Sequence, residues 1–457
     1  MADDRNPYMS DIPRRRRGAH FAPEAQPMVP AAPPRKRRSL KPLLAVLLLA
    51  ALTAGGYLGW QRFGDALIAR LGIGGRRVEV TVNGEIAHVP EGSTVQAVFE
   101  AVKPDVAAGN LMSVGGNVLE EGGGDLFAAT LDGQDLNYAE AGTTTVAKGA
   151  SITFADGADA CEQYTSETVV TTQPKLVRQV KEGTEETNLQ QTGTVQYIYQ
   201  WGKEGTKEVR TGSVSGETAD GTVTEGQDCI IMCQNVHPDD NEKLVALTFD
   251  DGPGLYTERF MQILDDYDIK ATFNLIGEQV EDCADIVSRN CASGNQICSH
   301  SWNHPLLTNI GQEDLLAQLD DTFAVIKSVG GYDTSTIRAP YGALNIDMWL
   351  KSQGHMTLSV CWSHDSLDWE QPGVNAIVAN CTGVMRPGSI ILMHDAGGER
   401  EQSLEALPRI IEAWQNAGYR FVTVEELMAS DSSIPEECCA NYRTMPEDAV
   451  WPTEIAS

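Results

Sequence analysis

Basic residues are scarce in this chain. Only 34 of its 457 residues are Lys or Arg, against 64 Asp or Glu, for a formal net charge of −30. A body this acidic argues against nucleic acid as a partner. The basic charge is also concentrated at one end. Residues 1–41 hold ten Lys/Arg and four acids, a net +6, which leaves −36 for the remainder. Long apolar runs are likewise nearly absent. The one present, residues 43–60 (LLAVLLLAALTAGGYLGW), contains no charge. Eighteen helical residues rise about 27 Å, just enough to cross a bilayer. Tyr57 and Trp60 fall where an interfacial belt would lie. No small-x-small site closes the run, so residues 42–61 read as a retained anchor rather than a cleaved signal peptide. The basic cluster precedes the run, which predicts a single crossing of the cell membrane with the amino end cytoplasmic and the body outside. Zinc-ribbon spacing is missing from the ten cysteines. Their even count, outside the membrane, permits disulfides, while Cys298 and Cys361 fall in apolar strands and read as core. A hydrophobic fraction of 42% with 21% charged residues excludes global disorder.

Residues 1–41, rich in Pro, Arg and Ala, read as a disordered cytoplasmic tail. Over 77–156, Val78, Val80 and Val82 alternate with polar residues and Asn83-Gly84 marks a hairpin turn. A capped helix is expected over 93–103, and together these suggest a small β-grasp-like module. Residues 166–235 are rich in Thr and Val, with glycine turns at Gly183, Gly193, Gly205, Gly212 and Gly221. A second small all-β module is expected there. Both modules suit binding, or a stalk that holds the next domain off the membrane. From 243 to 428 the pattern becomes α/β. Apolar strands at 244–249, 272–276, 296–299, 336–338, 356–362, 389–393 and 421–424 alternate with amphipathic helices. Such alternation predicts parallel strands joined by crossovers, closed into a barrel or open as a doubly wound sheet. The tail, 429–457, has no clear period. Nothing in the sequence assigns an oligomeric state.

Ionisable residues gather just after these strands: Asp250 and Asp251 after the first, His300 and His304 after the third, Arg338 at the fourth, Asp365 and Asp368 after the fifth, His394 and Asp395 after the sixth. In an α/β barrel the strand ends converge on one face, so such scattered residues can share a pocket. Asp251, His300 and His304 form a two-His, one-carboxylate set of the type that binds zinc while leaving a coordination position open. The four-residue spacing of the histidines suits one helical turn. Asp250 would leave the strand in a different direction from Asp251 and is free to act as a base.

Five segments resemble the ordered motifs of the polysaccharide deacetylases, carbohydrate esterase family four. They are Thr248-Phe249-Asp250-Asp251-Gly252-Pro253, His300-Ser301-Trp302-Asn303-His304-Pro305, Arg338-Ala339-Pro340-Tyr341-Gly342, Asp365-Ser366-Leu367-Asp368-Trp369 and Leu392-Met393-His394. The resemblance spans residues 243–427 and says nothing of residues 1–235. It implies a distorted (β/α) barrel of about seven strands that hydrolyses N-acetyl groups on a sugar polymer. It implies one divalent ion, most simply zinc, on Asp251, His300 and His304, with Asp250 as general base held by Arg338. His394 would be the general acid that protonates the leaving amine, oriented by Asp365 or Asp368. Beside Pro340, Tyr341 would offer its backbone N–H to the oxyanion, and Trp369 and Leu392 would line the acetyl pocket.

Two functions of different class follow. The first is an anchored, outward-facing deacetylase of peptidoglycan N-acetylhexosamine, with chitooligosaccharide or acetylated xylan as alternative substrates. The second is a non-catalytic wall-binding protein built on a retired barrel. Retirement usually removes an acid, a base or a ligand, and here all are kept.

Overall fold

The computed structural model describes residues 76–184 and 192–456. The apolar run at 43–60 and the basic tail lie outside these. Among the described residues no helix is long and apolar enough to cross a membrane. The chain divides into two compact units. Within the described residues the first comprises 76–104 and 130–153, the second 105–129 and 154–456.

The first unit opens as a hairpin. Strand Arg77–Val82 pairs antiparallel with Glu85–Pro90, and Asn83 (φ 48°) and Gly84 (φ 84°) make the two-residue turn that the strand twist favours. Helix Val95–Val102 follows, with the Thr94 side chain accepting a hydrogen bond from the Ala97 N–H. Strand Ser151–Ala155 then pairs parallel with Arg77–Val82. The expected 77–156 module is thus interrupted, because 105–129 belongs to the other unit.

The second unit contains a three-stranded antiparallel sheet, with Gly205–Gly212 between Tyr164–Thr172 and Thr218–Thr224. It also contains an eleven-stranded sheet. In chain order the latter's strands are β1 (Leu176–Val180), β2 (Val195–Gln200), β3 (Cys229–Gln234), β4 (Leu244–Gly252), β5 (Thr272–Leu275), β6 (Gln296–Ser299), β7 (Thr336–Ile337), β8 (Leu358–Val360), β9 (His364–Asp365), β10 (Ser389–His394) and β11 (Arg420–Val422). The independent all-β module expected over 166–235 is therefore not found. Its strands are shared between two sheets, and β2 pairs antiparallel with β8 (Val195↔Val360, Tyr197↔Leu358). The cause is apolar. Val195, Tyr197, Ile198, Cys229, Ile231 and Cys233 are all at most 1% exposed, so these strands need an apolar partner that a thin three-stranded sheet does not provide. The C-terminal tail is packed as well: Ile434, Cys438 and Cys439 join the cluster around Val195 and Tyr197. All ten cysteines are described and unpaired, and Cys298 and Cys361 are buried as expected.

The row β8-β7-β6-β5-β4-β10-β9 is parallel throughout, and β11 pairs with the start of β4. Laid flat, seven strands would put the outer two about 29 Å apart. Yet β8 and β9 are consecutive in the chain, joined by residues 361–363, a link that spans at most about 14 Å. The row must curl, and the result is a barrel left unpaired between β8 and β9. Strand β4 is buried on both faces, as a central parallel strand should be. Val245, Leu247 and Phe249 meet helices α1 (Thr257–Asp266) and α2 (Glu401–Asn416) through Phe260, Leu264, Leu407, Ile410 and Trp414. Leu244 and Ala246 pack instead with Val422, Ile390 and Tyr197.

Candidate active site

The parallel register aligns Asp250 on β4 with His394 on β10. Two residues 144 positions apart in sequence thereby become neighbours at the carboxyl ends of adjacent strands. Asp250 is 3% exposed. Its Oδ1 accepts hydrogen bonds from Arg338 Nη1 at 2.8 Å and Asn274 Nδ2 at 2.7 Å. Burial alone would raise the pKa of this carboxyl. The Arg338 charge, then His300 and His394, and the Asn274 hydrogen bond overcome that and hold it below the usual carboxylate value. Arg338 itself is fully buried. Beyond Asp250, it donates to Thr248 Oγ1 at 2.7 Å and to the carbonyls of Val360 and Cys361 at 3.2 and 3.1 Å. From the end of β7 it therefore ties β4 to the edge of β8, beside the gap in the barrel. The Trp362 ring lies 5.6 Å from its guanidinium carbon.

Asp251, His300 and His304 come together, with one ligand atom from each lying within 4.8 Å of the others. Asp251 Oδ1 is 3.6 Å from His300 Nε2 and 3.5 Å from His304 Nε2. His300 Nδ1–H donates to the Arg338 carbonyl at 2.7 Å, which leaves Nε2 with its lone pair facing the cluster. Burial is the largest influence on both histidines and lowers each to about 4, so both are neutral near pH 7. Two neutral imidazoles and a carboxylate converging on one point fit a divalent metal ion, zinc among them. The histidines do not share a helical turn as their spacing suggested. Residues 300–304 form a loop in which Ser301 (φ 68°) and His304 (φ 60°) are left-handed. The left-handed Ser301 already breaks a helical turn directly after His300, and Pro305 bars a helix from continuing past His304. The Ser301 hydroxyl accepts from the His304 N–H at 3.1 Å and closes the loop.

On the opposite side, Asp368 and His394 form the second ion pair. Asp368 Oδ1 accepts from His394 Nδ1–H at 2.7 Å, and its Oδ2 accepts from the His394 backbone N–H at 3.0 Å and the Ser403 hydroxyl at 2.8 Å. Burial works against charge on the His394 ring, but the charge and hydrogen bond of Asp368 outweigh it and raise the ring to about 9. His394 is thus a proton donor at neutral pH. The choice between the two aspartates is settled by these contacts. Asp365 Oδ1 accepts instead from the Leu367 N–H at 2.9 Å, a local turn, and burial raises its pKa.

The remaining expected residues border this constellation. The Tyr341 ring stands edge-on to His304, with centroids 4.6 Å apart, in the short turn Pro340–Gly342, where Tyr341 has φ 62°. Trp369 is half-buried beside Asp368, and Leu392 is buried two residues before His394 on β10, hence on the same strand face. Sequence reasoning missed Asn274 and Ser403 and gave Thr248 no role of its own. Asn274 had a signal: it is a polar residue inside the wholly buried strand β5. Ser403 had none, because it reaches Asp368 across 35 residues.

The family model for polysaccharide deacetylase matches residues 237–358. Among curated proteins, a peptidoglycan-N-acetylglucosamine deacetylase of Bacillus cereus is 36% identical over 191 residues, 41% of this chain and 69% of that one. A bifunctional xylanase/deacetylase of Pseudobutyrivibrio xylanivorans is 37% identical over 195 residues, 41% of this chain and 31% of its own length. The peptidoglycan-N-acetylmuramic acid deacetylase PdaC of Bacillus subtilis is 35% identical over 190 residues, 41% of this chain and 39% of its own.

Proposed function

This chain belongs to the polysaccharide deacetylase family, hydrolases of N-acetyl amide bonds, and we propose that its substrate is peptidoglycan N-acetylhexosamine, reached from outside the cell membrane. One observation carries the catalytic reading. A carboxylate kept ionised by Arg338 and an imidazole kept protonated by Asp368 flank one cluster of metal-binding side chains.

Amide hydrolysis needs a base for water, a stabilised oxyanion and a proton for the departing nitrogen. Asp250 takes the proton from water as the water oxygen bonds to the acetyl carbonyl carbon, and the ionised state of Asp250 at neutral pH follows from Arg338 and Asn274. Asp251, His300 and His304 would hold a divalent ion, zinc in our reading, which would supply Lewis-acid polarisation of the acetyl carbonyl. As the carbon–nitrogen bond breaks, His394 gives its proton to the nitrogen, and Asp368 keeps the ring oriented and charged for that transfer. Acetate and the free amine leave, and Asp250 and His394 return to their starting protonation states through solvent. Tyr341 contributes its backbone N–H to the oxyanion, in a turn begun by Pro340. Trp369 and Leu392 bound the acetyl group.

The wall substrate is supported by the peptidoglycan deacetylases of Bacillus cereus and Bacillus subtilis named above and by the apolar run at 43–60 with its basic flank. That run anchors the chain. A second reading, esterase action on acetylated xylan, rests on the similarity to the xylanase/deacetylase. Acetate release from purified peptidoglycan, N-acetylchitooligosaccharide and acetylxylan, each with and without a chelator, separates the readings. Peptidoglycan should be deacetylated fastest, with chelation abolishing the release and zinc restoring it. Release from acetylxylan alone would make the protein an esterase, and no release from any substrate would make it a wall-binding protein. Protease added outside intact cells should digest the barrel. Protection of the barrel would rule out the wall.

A further inference from the structure

Next to His394 lies a buried acid with no part in the chemistry above. Asp395 is 0% exposed. Its Oδ2 accepts a hydrogen bond from the Thr257 hydroxyl at 2.5 Å, whereas its Oδ1 has no hydrogen-bond partner. A buried carboxyl with an unsatisfied oxygen is costly to the fold and calls for an explanation.

The explanation lies in its contacts. The end of β4 carries Asp250 and Asp251 and runs on through Gly252 to Gly254, the loop after β10 follows His394, and the two interlock. A Cβ added to Gly252 would sit 2.6 Å from both Asp395 oxygens. One on Gly254 would lie 2.6 Å from Ala396 Cβ, and one on Gly397 would lie 2.5 Å from Asp251 Oδ2. The Asp395 N–H donates to the Asp250 carbonyl at 3.2 Å. The Thr257 hydroxyl that donates to Asp395 also accepts from the Gly254 N–H at 2.8 Å. Asp251 meanwhile holds φ at 70°, a conformation that a non-glycine residue keeps only when its surroundings impose it.

We propose that Asp395 is a positioning residue, locking the end of β4 that carries Asp250 and Asp251 against the loop that follows His394 and so holding Asp251 in its metal-binding place. The flat carboxyl fits where Gly252 leaves room, and its single bond to Thr257 sets its angle. The proposal rests on the metal-site reading above. It requires the shape and accepting oxygen of the side chain, not its charge.

The test is zinc affinity of the full-length protein, measured by competition with a chelating dye, alongside kcat and KM for acetate release. Asp395→Ala should weaken zinc binding by about 10- to 100-fold, as loss of a support behind a metal ligand does. It should lower kcat with little change in KM. Asp395→Asn, the same shape with an oxygen that still accepts from Thr257, should recover zinc affinity to within a few-fold. If the alanine variant does not fold by circular dichroism, Thr257→Val decides, because it removes the one hydrogen bond at nearly constant volume and should weaken zinc binding several-fold. Wild-type zinc affinity in a folded Asp395→Ala or Thr257→Val protein would overturn the proposal, as would an asparagine variant as impaired as the alanine one. His304→Ala serves as the control. If it loses zinc while Asp395→Ala keeps it, only the positioning role fails. If it keeps zinc, the ligand assignment fails too.

Discussion

Asp250 and Asp368 are both buried carboxylates facing a cation, on opposite sides of one pocket, and they end with opposite effects. Asp250 faces Arg338, which never gives up its proton, so the pairing acts on the carboxylate alone and keeps it ionised. Asp368 faces His394, which can give up its proton, so much of the pairing appears on the ring, raised to about 9. The same geometry, an acid against a base at 2.7–2.8 Å, makes a proton acceptor on one side and a proton donor on the other. What differs is which partner can titrate.

The strongest way to break this comparison is to remove the acceptor. Asp250→Asn is nearly isosteric and leaves the metal ligands in place, but cannot take a proton from water. Acetate release should fall by about 10²–10⁴-fold with metal content unchanged. Near-normal turnover would reduce Asp250 to a structural neighbour of Asp251. Next in size is Arg338→Met, which leaves Asp250 buried without its counter-charge. Loss of one member of a buried pair costs about 3–5 kcal/mol, and here Thr248 and two carbonyls lose a donor as well. Chemical denaturation should show a drop of at least that size. A loss under about 1 kcal/mol would mean that the guanidinium is not what ties β4 to β8.

Asp368→Asn probes the other side and should be milder near pH 5. Without the carboxylate charge, burial is opposed only by the more distant Asp251 and Asp250, and the pKa of His394 should fall well below about 9. The alkaline limb of the rate profile then moves to lower pH, so activity is lost mainly between pH 6 and 9. The stability effect has the same sign. A ring whose folded pKa lies above its unfolded value stabilises the native state fully below about 6.5, and that contribution disappears as pH rises through about 9. Titration of native stability should show this fall in the parent protein and not in Asp368→Asn.

The catalytic half was legible in the sequence because strand-end chemistry is local. Asp250, Asp251, His300, His304, Arg338 and His394 each lie at or just past the carboxyl end of a strand, and a parallel barrel brings strand ends to one face. The unread features depend on contacts that local pattern does not encode. The Thr- and Val-rich pattern of 166–235 reports strands but not what they pack against, so the pairing of β2 with β8 stayed hidden. The histidine spacing matched a helix, whereas the left-handed backbone of Ser301 and His304 that makes a loop instead has no signature in the spacing. Between Asp365 and Asp368, three residues apart after the same strand, spacing offers no preference. The backbone turn that points one outward to Leu367 and the other inward to His394 exists only in three dimensions.

That last pair yields the smallest expected effect and the sharpest control. In Asp365→Asn the side-chain oxygen can still accept from the Leu367 N–H, so the turn should persist and folding stability should change by under about 0.5 kcal/mol. The substitution removes a negative charge that sits near His394 without touching it. The ring keeps Asp368 and should stay protonated well above pH 7, with its alkaline limb displaced slightly downward and the rate at neutral pH within about two- to three-fold of the parent. Rate profiles of Asp365→Asn and Asp368→Asn, measured side by side from pH 5 to 10, should therefore differ in their alkaline limbs far more than in their plateaus. If instead Asp365→Asn moves the limb as far as Asp368→Asn does, the two carboxylates act on His394 as one charge cloud. The direct hydrogen bond at 2.7 Å would then not be what makes the imidazole an acid.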